Sequence, residues 1–303
     1  MMTLRQVRYF VAVAEAGSVT AAAAAVGISQ SAVTEALKQL EDFTGVALFE
    51  RRARGLALTH HGHQFLHHAH NILAAVADAQ RALQTAAPSL SGTVHLGVTS
   101  LVAGYFLADL LARFRRVFPN VAVEVHEDVR DYVEHLLVNG ELDLGLILVS
   151  NMTDRDALDC EVVVRSRNRL WLAPNHPLAA AERIALADIV AEPLIQLDID
   201  EMAETARGWW QAAGLAPRTM LKTGSVEAVR SLVATGAGIA VMPDMAFRPW
   251  SLEGDRLDAR ILADQLPSVD VGLVWRRGSP LSLPARTFVE LSREHGHGRA
   301  RRG

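Results

Sequence analysis

The chain has 303 residues and a formal net charge of −4; half of its residues are hydrophobic and 21% are charged. This length allows two or three domains, and the composition is that of a globular protein and not of a disordered one. We find no apolar run long enough for a membrane span and no evident signal peptide. The single cysteine, Cys160, excludes an intramolecular disulfide and is interpreted as a buried or incidental thiol. We therefore expect a cytoplasmic protein without a membrane partner.

Residues 1–59 are predicted to form three helices followed by a two-stranded wing. Leu4–Ala16 has the apolar spacing of an amphipathic helix, and five consecutive alanines from Ala21 favour a second, small-sided helix. Gly27 supplies the left-handed conformation of a sharp turn, and Ser29 caps a third helix that runs to about Phe43. Apolar side chains at helical spacing should form the buried stripe of this third helix: Ala32, Val33, Ala36, Leu37 and Leu40.

The other face of the third helix carries side chains that can read DNA. Amides and hydroxyls suit base edges in the major groove, and arginines at a wing tip suit phosphates or a narrow minor groove. The candidate DNA-binding residues are Gln30, Ser31, Thr34, Glu35 and Lys38 on the helix, and Arg51, Arg52 and Arg54 on the wing. The arrangement is typical of helix-turn-helix DNA readers. The alternative for the two helices alone is an ordinary αα-hairpin in a globular core.

The charge of this segment is low for a DNA-binding domain. Residues 1–59 carry six lysines or arginines against five acids, a balance of +1. Binding must therefore rest on local clustering of charge at the wing and on the presence of more than one copy of the domain.

The run LRQVRYFVAVAEAGSVTAAAAAVGISQSAVTEALKQLEDFTGVALFERRARGLALTHHG resembles the N-terminal domain of LysR-type transcriptional regulators. The resemblance covers about sixty residues without a gap. It implies a winged helix-turn-helix that binds double-stranded DNA, a linker helix, and a C-terminal effector-binding domain. One position departs from the family pattern, because many members carry a basic residue where this chain has Glu35. This carboxylate could accept from a cytosine amino group or face water.

Residues 60–87 are predicted to be the linker helix. Its apolar positions approach a heptad stripe: Phe65, Leu66, Ala69, Ile72, Leu73, Val76, Ala79 and Leu83. A stripe of this length needs a covering partner, and the resemblance implies the same helix of a second copy, giving a homodimer and from it a homotetramer. His63 and His67 have the spacing of a metal clamp, but no third ligand completes a set, and we assign no metal.

Residues 88–303 are predicted to form the effector-binding domain. Alternating strands and helices between residues 93 and 149 indicate a parallel sheet with right-handed crossovers. We expect two subdomains, one of about residues 91–163 and 267–294 and the other of about 164–266, in a periplasmic-binding-protein-like α/β fold. The basic, glycine-rich tail from His295 to Gly303 is predicted to be disordered.

The candidate effector cleft lies where strands end and helices begin, the place where open α/β sheets bind ligands. Its predicted residues are Thr99, Ser100, Asp198, Asp200, Thr223, Ser225 and Arg248. Thr99 and Ser225 could instead be helix caps, and Arg248 a surface ion pair. Small carboxylates suit hydroxyls and helix N-termini, but the two aspartates would repel them. An effector with both an amine and a carboxylate, or a neutral one, would resolve this conflict.

These features predict a ligand-responsive, sequence-specific DNA-binding transcriptional regulator that senses a small polar metabolite, such as an amino acid or another carboxylate. The alternative is a solute-binding protein of a transporter, which would need export and no DNA-binding head. An enzyme is not indicated, because the chain lacks a Gly-x-Gly-x-x-Gly motif after a strand, a P-loop and a Gly-x-Ser-x-Gly motif. We assign no catalytic residue and no cofactor.

Overall fold

The computed structural model describes residues 2–52, 55–84, 90–152 and 154–300. The chain divides into two compact units, one up to residue 88 and the other from residue 89 on. The first unit contains α1 (Leu4–Ala16), α2 (Val19–Val26), α3 (Gln30–Thr44), β1 (Phe49–Arg52), β2 (Gly55–Leu58) and α4 (His60–Gln84). The antiparallel pair β1–β2 is the predicted wing.

The predicted turn between α2 and α3 is confirmed. Gly27 closes α2 with a φ of 71°, in the left-handed region that glycine adopts most readily. Ser29 begins α3, since its hydroxyl oxygen accepts a hydrogen bond from the Ala32 amide at 3.3 Å. Gly27 and Ser29 therefore fix where α3 begins and how the chain turns from α2 into α3.

The buried stripe of α3 is narrower than predicted. Val33, Leu37 and Leu40 are buried with Phe10 in one core, whereas Ala32 is exposed and Ala36 only half-buried. The three buried positions follow one line along the helix, and α1 and α2 pack against α3. Ala32 directly precedes Val33 in the helix, so its side chain points away from this line and toward solvent.

The first half of α4 packs on its own chain, which corrects the prediction that a second copy covers the whole apolar stripe. Ala69 is completely buried, and Phe65, Leu66 and Leu73 pack against the same core as α1. The Phe65 ring meets the Phe10 ring edge-on, with centroids 4.9 Å apart. Side chains of Ala79 and Leu83 lie outside the described part.

The second unit combines two subdomains. Its elements are β3 (Gly92–Val98), α5 (Ser100–Val102), a π-helical turn (Ala103–Leu107), α6 (Ala108–Val117), β4 (Val121–Glu127), α7 (Arg130–Asn139), β5 (Leu144–Leu148), β6 (Leu158–Ser166), β7 (Asn168–Leu172), α8 (Leu186–Ile189), β8 (Leu194–Leu197), α9 (Met202–Ala212), β9 (Thr219–Thr223), α10 (Val226–Ala234), β10 (Ala240–Pro243), β11 (Asp258–Arg260), β12 (Val269–Arg276) and α11 (Leu283–Ala300). Short 3₁₀ turns connect some of these elements: Val149–Asn151, Pro177–Ala180 and Asp244–Ala246.

The first subdomain is a five-stranded sheet in the order β4, β3, β5, β12, β6. β3 pairs in parallel with β4 and β5, so α5–α6 and α7 are the crossover helices that such pairs require. β12 runs antiparallel to β5 and β6, and it brings the chain back to this sheet from the second subdomain. The carboxyl ends of β3 and β4 lie at the same edge, where the cleft residues begin.

The second subdomain contains a three-stranded antiparallel sheet, β10–β7–β11, and a parallel pair, β8–β9. A single bridge between Leu194 and Ile239 joins the two groups of strands. Helices α9 and α10 follow β8 and β9, which places the loops after both strands at one edge.

The structure differs from the sequence analysis of this unit at the tail, at two edge strands and at the cysteine. Residues 295–300 are helical and continue α11, because the His295 ring packs edge-on against Phe106 at 5.4 Å and Gly296 is buried. β6 and β11 were not predicted, since each pairs at an edge with a strand distant in sequence. Cys160 lies exposed on β6, which excludes the buried alternative and leaves that of an incidental thiol. None of the helices in the described part of the chain combines the length and apolar character that a membrane crossing requires.

Candidate DNA-binding surface and effector cleft

The five residues predicted to read bases lie exposed along one side of α3: Gln30, Ser31, Thr34, Glu35 and Lys38. Two of their hydroxyls bond locally. Thr34 donates to the Gln30 carbonyl oxygen at 2.9 Å, and the Ser31 and Ser29 hydroxyls lie 3.1 Å apart. Because the opposite side of α3 packs in the core, the exposed side chains lie on a helix that is held rigidly.

A chain of amide contacts holds Glu35. The Gln39 amide donates to one carboxylate oxygen of Glu35 at 2.8 Å, and the largely buried Gln6 donates to Gln39 at 3.1 Å. Gln6 is itself anchored, because its carbonyl oxygen accepts from the Thr3 amide at 2.8 Å. The protein itself therefore orients the carboxylate of Glu35.

The wing is attached to α3 by Glu41, a role that the sequence analysis missed. One carboxylate oxygen of Glu41 accepts from the amides of Leu48 and Phe49, at 2.6 and 3.1 Å. A signal was present in the sequence: an acid in the last turn of a helix opposes the helix dipole and so needs a specific partner. Arg51 on the wing is exposed, the Arg52 side chain is not described, and Arg54 lies outside the described residues.

An open apolar groove of about 590 Å³ lies beside the wing on α3 and α4. It is lined by Thr44, Val46, Leu48, His61, Gln64, Phe65 and His68. His63, one of the two histidines with the spacing of a metal clamp, is not among its lining residues, and the His67 side chain is not described. Within the described residues, no group of three histidine, cysteine or carboxylate side chains is placed to hold a metal ion.

The structure brings Thr99, Ser100 and Asp200 together in the effector-binding unit. Asp200, in the loop after β8, accepts a hydrogen bond from the Leu101 amide at 2.7 Å, in the first turn of α5. The Ser100 hydroxyl donates to Glu127 at the end of β4, at 2.7 Å. Asp200 is thus a carboxylate placed where the sequence analysis expected an effector.

Burial raises the pKa of Asp200, and the nearby Glu127 adds to this effect. The Leu101 amide and the Thr99 hydroxyl oppose it by favouring the ionised form. Thr99 is 1% exposed, and its hydroxyl has no hydrogen-bond partner of ordinary geometry. The hydroxyl nevertheless lies near enough to Asp200 to lower the pKa of that carboxyl group. Asp200 and Glu201 both have positive φ, at 49° and 57°.

Three other predicted cleft residues take part in hydrogen bonds with nearby backbone groups. The Thr223 hydroxyl oxygen accepts from the Ser225 amide, and the Ser225 hydroxyl oxygen from the Ala228 amide, both at 3.2 Å. Ser225 is therefore the N-cap of α10, the alternative that the sequence left open. Asp198 bonds through its backbone amide to the Thr223 carbonyl at 2.9 Å, and its side chain is exposed.

Arg248 lies at a second bridge between the subdomains. Its guanidinium donates to the Phe247 carbonyl at 2.7 Å and lies 5.8 Å from the Tyr105 ring centroid, so it is neither the predicted partner of the aspartates nor a simple surface ion pair. The Tyr105 hydroxyl, on the π-helical turn, donates to Glu227 of α10 at 2.9 Å. Arg230, which is 1% exposed, donates to the same carboxylate at 2.9 Å.

The groups of this second bridge shift each other's pKa values. Burial and the hydrogen bond to Glu227 raise the pKa of Tyr105 to about 12. Burial raises the pKa of Glu227, but hydrogen bonds from Arg230 and Tyr105 outweigh it and hold that pKa below its ordinary value. Tyr105 therefore stays a neutral donor and Glu227 an ionised acceptor at neutral pH.

A buried arginine in α7 was also missed. Arg130 is 6% exposed and lies close to three carboxylates, 2.9 Å from Glu134, 2.8 Å from Asp131 and 3.4 Å from Glu201. Burial raises the pKa of Glu201, and the charge of Arg130 opposes that rise. The contact fixes Glu201 beside Asp200, so the loop after β8 is held at two successive residues.

Comparison with known proteins covers both units. Residues 4–63 match the family model "Bacterial regulatory helix-turn-helix protein, lysR family", and residues 87–297 match "LysR substrate binding domain". The "Hydrogen peroxide-inducible genes activator" of Pectobacterium carotovorum is 28% identical over 298 residues, 98% of each chain. HinK, a LysR family transcriptional regulator from Pseudomonas aeruginosa, is 25% identical with a TM-score of 0.64 over 97% of this chain and 98% of that one. Full-length CbnR complexed with its target DNA is 26% identical, with a TM-score of 0.56 over 97% of this chain and 100% of that one.

Proposed function

The chain belongs to the LysR family of ligand-responsive, DNA-binding transcriptional regulators, and we propose that residues 1–59 are its DNA-binding domain, residues 60–87 its linker helix and residues 88–303 its effector-binding domain. The observation that carries the proposal is the polar side of α3, which is exposed while its apolar side is buried. A gel-shift assay with the DNA upstream of neighbouring genes tests it. The double variant Ser31→Ala/Thr34→Ala should lose the specific shift; an unchanged shift would refute the assignment.

Two groups of residues divide the work of binding. Gln30, Ser31, Thr34, Glu35 and Lys38 contact base edges in the major groove, where their amide, hydroxyl and charged groups can discriminate base pairs. Arg51, Arg52 and Arg54 contact phosphates and supply affinity without sequence preference. The CbnR structure that contains target DNA matches 97% of this chain. This similarity supports double-stranded DNA as the partner.

The regulator works as a homodimer, and dimers associate into a homotetramer. One domain with a balance of +1 in residues 1–59 binds DNA weakly, so paired domains on adjacent half-sites are needed. The apolar groove of about 590 Å³ on α3 and α4 offers a surface for the linker helix of a second copy. Sedimentation of the full chain tests this, and a monomer at micromolar concentration would refute it.

The effector is a small polar metabolite that binds between the two subdomains. Asp200 already contacts the Leu101 amide, so this cleft is less suited to a simple carboxylate than to an amine-bearing or neutral molecule. Binding would change how the subdomains are held and, through the linker helix, how the paired DNA-binding domains lie on the operator. A thermal-shift screen of metabolites on the full chain tests the expectation.

The peroxide response that the name of the Pectobacterium relative states is not part of the proposal. Cys160 is the single cysteine of the sequence, and it lies exposed on β6, outside the cleft. An intramolecular disulfide therefore cannot report oxidation in this chain. The DNA-binding unit argues against a transporter's solute-binding protein and supports a cytoplasmic location, where a regulator meets DNA.

A further inference from the structure

Asp200 reaches from the second subdomain into the first. Its carboxylate accepts from the Leu101 amide at 2.7 Å, although the two residues are 99 positions apart. The amides of the first helical turn have no acceptor within their own helix, and anions commonly occupy that place. Here α5 continues without a break through the π-helical turn into α6. The chain therefore supplies its own anion to this helix.

The backbone around Asp200 is held in an unfavourable conformation. Asp200 and Glu201 are successive residues with φ of 49° and 57°, and within the described residues no others besides glycine have positive φ. Such conformations persist only where surrounding contacts enforce them. The Leu101 amide holds Asp200 and the Arg130 guanidinium, 3.4 Å from Glu201, holds its neighbour.

A buried hydroxyl completes the surroundings of the carboxylate. Thr99 is 1% exposed, and its hydroxyl has no hydrogen-bond partner of ordinary geometry, yet it lies close to Asp200. Buried hydroxyls normally find a partner, so this donor is available to an anion at the position of Asp200 or beside it. The Leu101 amide and the Thr99 hydroxyl together form an anion-binding position.

A second hydrogen bond joins the two subdomains without involving Asp200. The Tyr105 hydroxyl donates to Glu227 at 2.9 Å, and Arg230 fixes that carboxylate from its own side. Removing the Asp200 side chain should therefore leave a vacant anion position and not a separated pair of subdomains.

We propose that Asp200 is an internal carboxylate ligand that occupies the anion position of the effector cleft and thereby excludes free carboxylates as effectors. This inference rests on the proposed function, since it names the chemistry that the effector site rejects and leaves amine-bearing or neutral molecules as its effectors. Asp200 is a determinant of ligand specificity, and the pairing with Leu101 holds the cleft closed when no effector is bound.

Chemical rescue of Asp200→Gly by formate or acetate tests the proposal on the full chain. Glycine accepts the positive φ of this position and leaves space for a one- or two-carbon carboxylate. The variant should unfold at a lower temperature than the wild type, and formate should raise its midpoint in a saturable manner. Sodium chloride at equal ionic strength should not, and calorimetry should detect formate binding to the variant only.

Two further variants serve as controls. Asp200→Asn keeps a neutral acceptor of the same size, so formate should not bind it. Glu204→Gln removes an exposed charge from the same region and should respond to formate no more than the wild type does. If Asp200→Gly does not fold, Asp200→Ser carries the same test.

Equal responses of wild type and variant to formate, or no response in either, would overturn the proposal. The gel shift of wild-type protein decides the proposed function separately, because it depends on α3 and the wing and not on formate. A chain that binds DNA but shows no rescue loses only the role of Asp200; one that shows rescue but binds no DNA loses only the proposed function.

Discussion

Glu41 joins α3 to the start of the wing, since one of its carboxylate oxygens accepts hydrogen bonds from the amides of both Leu48 and Phe49. Glu41→Ala leaves these amides without their acceptor, which should destabilise the DNA-binding unit by about 1–3 kcal/mol. DNA affinity should fall on every sequence, because the wing is no longer fixed relative to α3. Thermal unfolding and gel shifts measure the two effects. The neighbouring exposed residue gives a control, Asp42→Ala, and an equal loss in that variant would contradict the role of Glu41.

Tyr105 should make stability depend on alkaline pH. Its pKa is raised from 10.0 to about 12, so the folded protein retains the phenolic proton over a range in which the unfolded chain loses it. The stabilisation is complete below pH 10 and is lost as the pH rises through about 12. Urea titrations of wild type and Tyr105→Phe should therefore converge between these two pH values. A constant difference across that range would show that the hydroxyl does not donate to Glu227.

The helices of the DNA-binding unit illustrate what local sequence determines. Gly27 is a turn residue and Ser29 a helix cap; the effect of each depends on its immediate neighbours, and both were predicted correctly. α4 was misjudged because its stripe could pack on a second copy or on α1, and periodicity does not distinguish these partners. Local chemistry thus predicts where an element begins more reliably than what covers it.

In the effector-binding unit, the elements were predictable where strands alternate with helices. β6 and β11 were not, since β6 is an edge strand and β11 has three residues paired with β7 far away in sequence. The cleft shows the same limit. Hydroxyls and aspartates after strands were visible in the sequence, but the contact of Asp200 with Leu101 depends on how the two subdomains meet.

α3 and the wing should contribute differently to DNA recognition. Gln30→Ala should change the preference among operator variants at one or two base pairs, because an amide can pair with a base edge. Arg51→Ala should weaken binding to all sequences by a similar factor and reduce the salt slope by about one for each phosphate contact removed. Competition binding against a set of single-base variants, at several salt concentrations, separates the two behaviours. Identical profiles for both variants would contradict the division of roles.

At the scale of the whole molecule, the proposed function requires that a small change in the cleft alters DNA binding by paired domains. The hydrogen bonds of Asp200 with Leu101 and of Tyr105 with Glu227 join the two subdomains, together with the Arg130–Glu201 ion pair. Both donors lie on one segment, from α5 to the π-helical turn, and both acceptors belong to the second subdomain. π-helical turns often occur at functional positions, and here the turn carries Tyr105 on the same helical segment as Leu101. An effector that displaces one contact therefore acts on the segment that carries the other.

Pairing of two chains is the remaining condition for this response, and the groove on α3 and α4 allows it to be tested. Val46→Glu places a charge among the apolar groove residues, where a second copy would have to desolvate it. The variant should sediment as a smaller species and should lose most of its DNA affinity, because one domain alone carries a balance of only +1 in residues 1–59. His60→Glu, on an exposed residue that does not line the groove, gives the matched control. A Val46→Glu protein that keeps the sedimentation coefficient and operator affinity of the control would show that pairing uses another surface.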